Sequence, residues 1–194
     1  MNANDTGAYL ARGMILGVVA MVAVVAASNY LVQFPVTVFP PAWHAEQWLT
    51  WGAITYPAAF FVTDLANRAF GPGRARQIVY AGFAVGVALS IYLATWRIAL
   101  ASGTAFLVGQ LLDITVFNRL RRQSWWKAPF LGSALGSVID TALFFSLAFA
   151  GTQVPWVSLA QGDLMVKLAL ALLFLAPFRA LMNSIAPLPQ AQAS

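Results

Sequence analysis

The sequence predicts an all-α, polytopic membrane protein, a bundle of six transmembrane helices with both termini on the cytoplasmic side, and three observations predict it. Of the 194 residues, 60% are hydrophobic and only 9% charged, where a soluble domain carries about 25% charged residues. The apolar residues gather into six runs of about 20, the length that crosses the hydrocarbon of a bilayer. Arg and Lys fall on one side of the bilayer when those runs are threaded through it. The runs leave room only for short loops and tails, so residues 1–194 read as one domain, with a short N-terminal tail (1–12) and a disordered C-terminal tail (186–194). A large extramembrane domain and a nucleotide-hydrolysing module are excluded. With no cysteine, so are a disulfide framework and a thiolate metal site. The net charge of +5 follows from membrane topology, and nucleic acid is not expected as a partner.

The first run, Gly13–Leu31, contains no charge. A cleaved signal peptide competes with a membrane helix here, because Ala26-Ala27-Ser28 is small, but signal-peptide apolar regions are shorter and Arg12 is the only basic residue ahead of it. Phe34–Gln47 holds three prolines and the only histidine, His44, and reads as an external loop. The second run, Trp48–Asn67, carries Pro57, which removes a backbone donor and predicts a kink. Gly71-Pro72-Gly73 predicts a turn, followed by the third run at Ile78–Thr95 and the fourth at Ile98–Phe117. The basic and aromatic stretch Asn118–Pro129 leads to the fifth, Phe130–Ala150, and the sixth is Leu164–Ile185. From Pro187 onward no apolar periodicity remains.

Basic residues test this threading. With the N-terminus inside, the cytoplasmic side receives Arg12, then Arg68, Arg74 and Arg76, then Arg119, Arg121, Arg122 and Lys127, and finally Arg179; the outside receives Arg97 and Lys167. That asymmetry is the one that orients membrane proteins. Trp43, Trp48, Trp51, Trp96, Trp125, Trp126 and Trp156 fall at or near run ends, where indoles favour the headgroup layer.

Three acids fall within the runs, and each costs roughly 2.5 to 3.5 kcal/mol at a helix centre unless it faces the bundle interior or a wet cavity. Asp64 can form a helical ion pair with Arg68, four positions on, which is its structural reading. Asp113 has no basic residue within a turn. Asp140 is the deepest of the three, with Ser133, Ser137 and Thr141 around it. Steps of three and four place Ser102, Phe106, Gln110, Asp113 and Phe117 on one stripe, and Tyr56, Phe60, Asp64 and Asn67 on another. Such aromatic stripes are more often packing than ligand platforms, but these are continuous with polar groups. Asn29 and Gln33 sit one turn apart near the end of the first run, where amides also commonly bond a neighbouring helix. Gly132 with Gly136, Ser133 with Ser137, and Ala23 with Ala27 are small pairs that let helices approach.

His44 has no nucleophile elbow to serve, no Walker sequence is present, and no zinc set exists, so neither a hydrolase nor a nucleotide-driven pump is supported. The residues favour a small-solute carrier without cofactor or metal. An intramembrane enzyme working through aspartates, and a partner-binding subunit, are the alternatives.

The stretches Ser28-Asn29-Tyr30-Leu31-Val32-Gln33, Thr50-Trp51-Gly52-Ala53, Thr63-Asp64-Leu65, Phe70-Gly71, Arg97-Ile98-Ala99, Ala101-Ser102, Gly109-Gln110-Leu111-Leu112-Asp113, Val116-Phe117-Asn118-Arg119-Leu120-Arg121 and Asp140-Thr141 closely resemble the bacterial queuosine-precursor transporters, formerly grouped as vitamin-uptake transporters. The resemblance runs from Ser28 to Phe145. It departs in the very short connection between the third and fourth runs and in an unremarkable sixth. It implies uptake of 7-cyano-7-deazaguanine and 7-aminomethyl-7-deazaguanine across the inner membrane, to supply queuosine for tRNA. The residues are compatible. A carboxylate can take the ring N–H and amino donors of a deazaguanine edge while an amide donates to its carbonyl. Asp140 is the first choice for that role and Asp113 the second, with Gln110 or Asn29 as the amide. The ring can stack on Phe60, Phe106 or Tyr56, and Gln33, Asp64 and Asn67 complete the candidate set. A second carboxylate could receive the aminomethyl cation, which the neutral nitrile lacks. Facilitated diffusion and proton coupling are both open, as are a second copy of the chain and an energy-coupling module as partners.

Overall fold

The computed structural model describes residues 3–40, 42, 44–45, 48–93, 95–185 and 187–188. Among them the regular structure is helical, apart from one isolated bridge between Pro35 and Thr50. The helices are α1 (Ala3–Leu31), α2 (Trp51–Thr55), α3 (Ala58–Phe70), α4 (Pro72–Leu93), α5 (Trp96–Leu120), α6 (Lys127–Phe149), α7 (Trp156–Leu173) and α8 (Leu175–Leu181). Five stretches are long and apolar enough to cross a bilayer: Thr6–Leu31, Pro72–Tyr92, Trp96–Leu120, Lys127–Phe149 and Trp156–Leu181. Burial is inverted relative to a soluble protein. Leu16, Tyr92 and Met165 are exposed while Asp64, Asn67, Gln110, Asp113 and Lys167 are buried, the arrangement expected when lipid is the solvent.

Prolines set the breaks. Pro57 has no N–H for the Ala53 carbonyl, and the expected kink lies where α2 gives way to α3; Tyr56 and Pro57 keep helical backbone angles, so the second predicted run is two short helices joined at a bend. Pro177 likewise denies a donor to Leu173, where α7 ends before α8 resumes. The predicted turn at residues 71–73 narrows to Gly71, whose φ of 85° suits glycine. Pro72 instead opens α4 as its first residue, where a missing N–H costs nothing. α4 therefore begins before the expected Ile78, its charged first turns having obscured the apolar signal. α1 extends back to Ala3 through a partly polar stretch that holds no proline, and α7 begins at Trp156, ahead of the expected Leu164. That last difference moves Lys167, expected at the outer end of the sixth run, into the middle of a helix. Trp43 and residues 186 and 189–194 lie outside the described residues; Leu188 is buried and donates its N–H to the Ala69 carbonyl at 3.0 Å.

Glycines decide how closely the helices approach. A Cβ on Gly136 would stand 2.7 Å from Phe60 and 2.9 Å from the Gly109 carbonyl, and one on Gly109 would stand 3.0 Å from the Gly136 carbonyl. α5 and α6 thus touch backbone to backbone, as small pairs permit. Gly52 does the same for α2, with the Val32 Cα 2.6 Å from where its Cβ would be. Met21, Ile78, Phe106 and Ile114 fill the core between α1, α4 and α5. At one end of the bundle Arg121 donates to the Asn67 carbonyl and side chain, both at 2.7 Å, and Arg68 to the Met182 carbonyl at 3.2 Å. At the other end Arg97 caps α6 through the Leu147 and Ala150 carbonyls, at 2.8 and 2.6 Å.

Replacing Gly136 by valine forces atoms into Phe60 and the Gly109 backbone, and overpacking of this kind costs about 1 to 3 kcal/mol or more. Thermal unfolding of the purified protein in detergent should fall by several degrees. Gly73→Ala, where nothing lies within 4 Å of the added Cβ, should show no such loss.

Candidate functional site

Tyr56 and Pro57 form the joint between α2 and α3. Gly52 seats α2 against α1, and Ser28 and Thr55 join the two through a 3.0 Å hydroxyl contact. Tyr56 then points its hydroxyl across the bundle and donates to Asp140 Oδ1 at 2.9 Å. Phe106 braces the same ring edge-on, with centroids 6.2 Å apart.

Asp140 is also the acceptor of a buried ammonium. Lys167 Nζ donates to Asp140 Oδ2 at 2.7 Å, to Thr141 Oγ1 at 3.0 Å and to Asp163 Oδ2 at 2.5 Å, so all three of its protons are placed. Thr141 passes its own proton to Asp163 Oδ2 at 2.7 Å, and the ammonium lies 5.3 Å from the Tyr56 ring centroid. The cluster joins α6 to α7 and to the α2–α3 break. Its burial is energetically demanding, and only a full set of hydrogen bonds offsets the loss of water.

This cluster lies in a cavity of about 670 Å³, within the size range of small-molecule sites. Ser28, Asn29, Gln33, Thr50, Ser90 and Ser102 give it polar walls, and Tyr56, Phe144, Phe145 and Phe149 give it aromatic ones. Of the residues picked from sequence, Asn29, Gln33, Tyr56 and Asp140 line it. Asn29 already donates to the Val25 carbonyl at 2.9 Å, leaving its side-chain oxygen as the acceptor on offer.

The other picks form a buried layer beneath. Phe60 packs on Gly136 and Phe106 on Tyr56. Gln110 Oε1 accepts from Thr63 at 2.6 Å, while its Nε2 has no partner among the described residues. Asp64 takes a 3.0 Å bond from Ser133, and Asp113 lies against Gly132; among the described residues Asp64 Oδ1 and both Asp113 oxygens have no hydrogen-bond partner. The helical ion pair considered for Asp64 does not form, because Arg68 turns to Met182. Asn67 is held between the Ile114 carbonyl and Arg121. A void of about 10 Å³, lined by Asp64, Ser133, Ser137 and Lys167 among others, separates this layer from the cluster; it is about the size of one water. The three aspartates therefore do not share one chamber. Asp140 faces the cavity, Asp64 the void, and Asp113 neither.

Lys167 and Asp163 are the functional candidates that sequence reasoning passed over. Their i, i+4 spacing was visible, but it becomes meaningful only when the helix starts at Trp156.

A family described as "Putative vitamin uptake transporter" matches residues 50–94 and 89–182. A "Queuosine precursor transporter" of Escherichia coli (strain K12) is 36% identical over 180 residues, covering 79% of each chain. A "Probable queuosine precursor transporter" of Haemophilus influenzae is 36% identical with the same coverage. One of that name from Bacillus subtilis is 28% identical over 65% of this chain and 68% of its own. No solved structure matches. The chain belongs to the vitamin uptake transporter family, and it is a multi-pass membrane protein.

Lys167→Met leaves the buried Asp140 and the partly exposed Asp163 without their cation, and breaking a buried ion pair in this way typically costs about 3 to 5 kcal/mol. Detergent-solubilised protein should lose stability accordingly, and Asp140→Asn added to Lys167→Met should recover part of the loss, as read from thermal midpoints.

Proposed function

We propose, from that family membership, that this chain is an inner-membrane carrier that imports a queuosine precursor for tRNA modification, with 7-cyano-7-deazaguanine and 7-aminomethyl-7-deazaguanine as its substrates. The single observation that carries the reading is the large cavity with a charged, hydrogen-bonded floor and aromatic walls. It has the chemistry a flat, polar-edged base requires. The relatives' names supply the substrate class.

Asp140 reads the edge. Each of its oxygens accepts one bond, from Tyr56 or from Lys167, and each retains a further lone pair for the ring N–H and amino donors of the base. The Gln33 amide can donate to the ring carbonyl, and Tyr56, Phe144 or Phe145 can cover the ring faces. Phe60, Phe106 and Gln110 support this layer from behind. Ser137, Ser133, Asp64 and Asp113 continue the polar groups toward the arginine-rich end, where Asn67 and Arg121 close the bundle.

In this reading α2 and α3 cross the membrane together as one interrupted span, making six crossings with both termini in the cytoplasm. The end that gathers Arg68, Arg121 and Arg179 is the cytoplasmic one, and Arg97 marks the outer face, on the rule that basic residues are retained inside. The cavity, lined by Gln33, Trp48 and Phe149, then opens outward. A second reading, a substrate-binding subunit of an energy-coupling complex, is favoured only by Ala23 and Ala27, which are exposed on α1 and unused within the bundle. Transport by the purified protein alone in liposomes separates the two.

Cells lacking their own importer and precursor synthesis, given this protein and external precursor, should regain queuosine in tRNA. Asp140→Asn at equal membrane abundance should lower that recovery by about tenfold or more, the scale expected when a charged hydrogen-bond partner is lost. Undiminished recovery in the variant would remove Asp140 from the binding site.

A further inference from the structure

The charges around the cavity do not balance. Of the residues that line it, Asp140, Asp163 and Lys167 are the ones with charged side chains, two carboxylates against one ammonium. Lys167 cannot serve a ligand, since its three protons are taken by Asp140, Thr141 and Asp163. The two acids are not equivalent. Asp140 has both oxygens bonded, and its side chain is only 4% exposed. Asp163 is 16% exposed; its Oδ2 takes the bonds from both Lys167 and Thr141, and its Oδ1 takes none among the described residues. An acidic oxygen is thus left on the cavity side of a buried ion cluster, carrying the excess negative charge. A carboxylate that faces a cavity and has no counter-ion of its own there favours a ligand that brings the opposite charge.

We propose that Asp163 is a specificity-determining residue that receives a primary ammonium on the ligand, so that the cavity takes the cationic aminomethyl base in preference to the neutral nitrile. The inference rests on the transport reading above and adds to it a rank order between the two bases. Asp140 and Tyr56 hold what the two bases share, and Asp163 meets what distinguishes them. Replacing Asp163 by asparagine leaves Lys167 with Asp140 as a one-to-one pair, so the variant cluster is electrically neutral and the ammonium remains paired.

The test uses the full-length protein, purified and reconstituted, with three probes: 7-aminomethyl-7-deazaguanine, its N-acetylated form, which keeps the arm but loses the charge, and 7-cyano-7-deazaguanine. Binding is measured by calorimetry and uptake by competition. The wild type should favour the aminomethyl base over both neutral probes by about tenfold or more, as a desolvated charge pair allows. Asp163→Asn should bring that ratio close to unity, and Asp163→Glu should restore most of it. The ratio is the readout, so a general loss of protein or affinity does not imitate the result. Equal affinity of the wild type for charged and neutral probes overturns the inference, as does an unchanged ratio in Asp163→Asn, which would mean that the excess charge is met by a proton or an ion. Wild-type protein that takes none of the three probes overturns the transport reading, and this inference with it.

Discussion

A lysine ammonium set among helices in an oil-like surround dictates much of the remaining architecture. It cannot be left bare, so α6 must present Asp140 and Thr141 to it, α7 must present Asp163 one turn before it, and the α2–α3 break must bring Tyr56 alongside. Removing any one of these exposes a polar group to surroundings that cannot hydrogen-bond it. Such a network adds little net stability compared with well-packed apolar residues. In a chain with only 9% charged residues, so demanding a network is one of the features on which the proposed binding role rests.

The close contact of α5 and α6 serves the same end. Asp140 Cβ lies 2.9 Å from where a side chain on Gly109 would begin, so the absence of that side chain is what allows the acid to stand at the helix interface. Asp113 occupies the matching place one layer down, against Gly132. Glycine spacing and acid placement are therefore two aspects of one packing solution, in which helix backbones come together and carboxylates fill the gaps.

Much of this was legible from the sequence, and for identifiable reasons. Apolar runs reveal spans because lipid requires them, and Asp140 drew attention because an acid in mid-helix is costly. The stripes through Phe106 and Asp113 and through Phe60 and Asp64 are indeed buried, since helical periodicity is local information. What lay hidden was non-local or depended on an end point. Lys167 reads as a residue at the outer boundary because the low hydropathy around Gln161 and Asp163 delays the apparent start of the helix. The separation of Asp64 and Asp113 from the cavity depends on where α3 and α5 cross, which no spacing rule encodes. The joint at Pro57 was visible as a kink, but that Tyr56 beside it reaches across the bundle required the tertiary arrangement.

Pro57 and Phe174, at the two helix joints, border the same small void as Lys167, and the stacked rings of Phe61 and Phe174, 5.2 Å apart, link α3 to the α7–α8 joint. Neither proline has an amide hydrogen to surrender, so rotation at these two joints breaks no helical hydrogen bond at the proline itself. Below the first joint, however, α3 is tied to its neighbours, Thr63 donating to Gln110 on α5 and Ser133 on α6 donating to Asp64, so any bending at Pro57 has to carry those bonds, and the polar layer under the cavity, along with it.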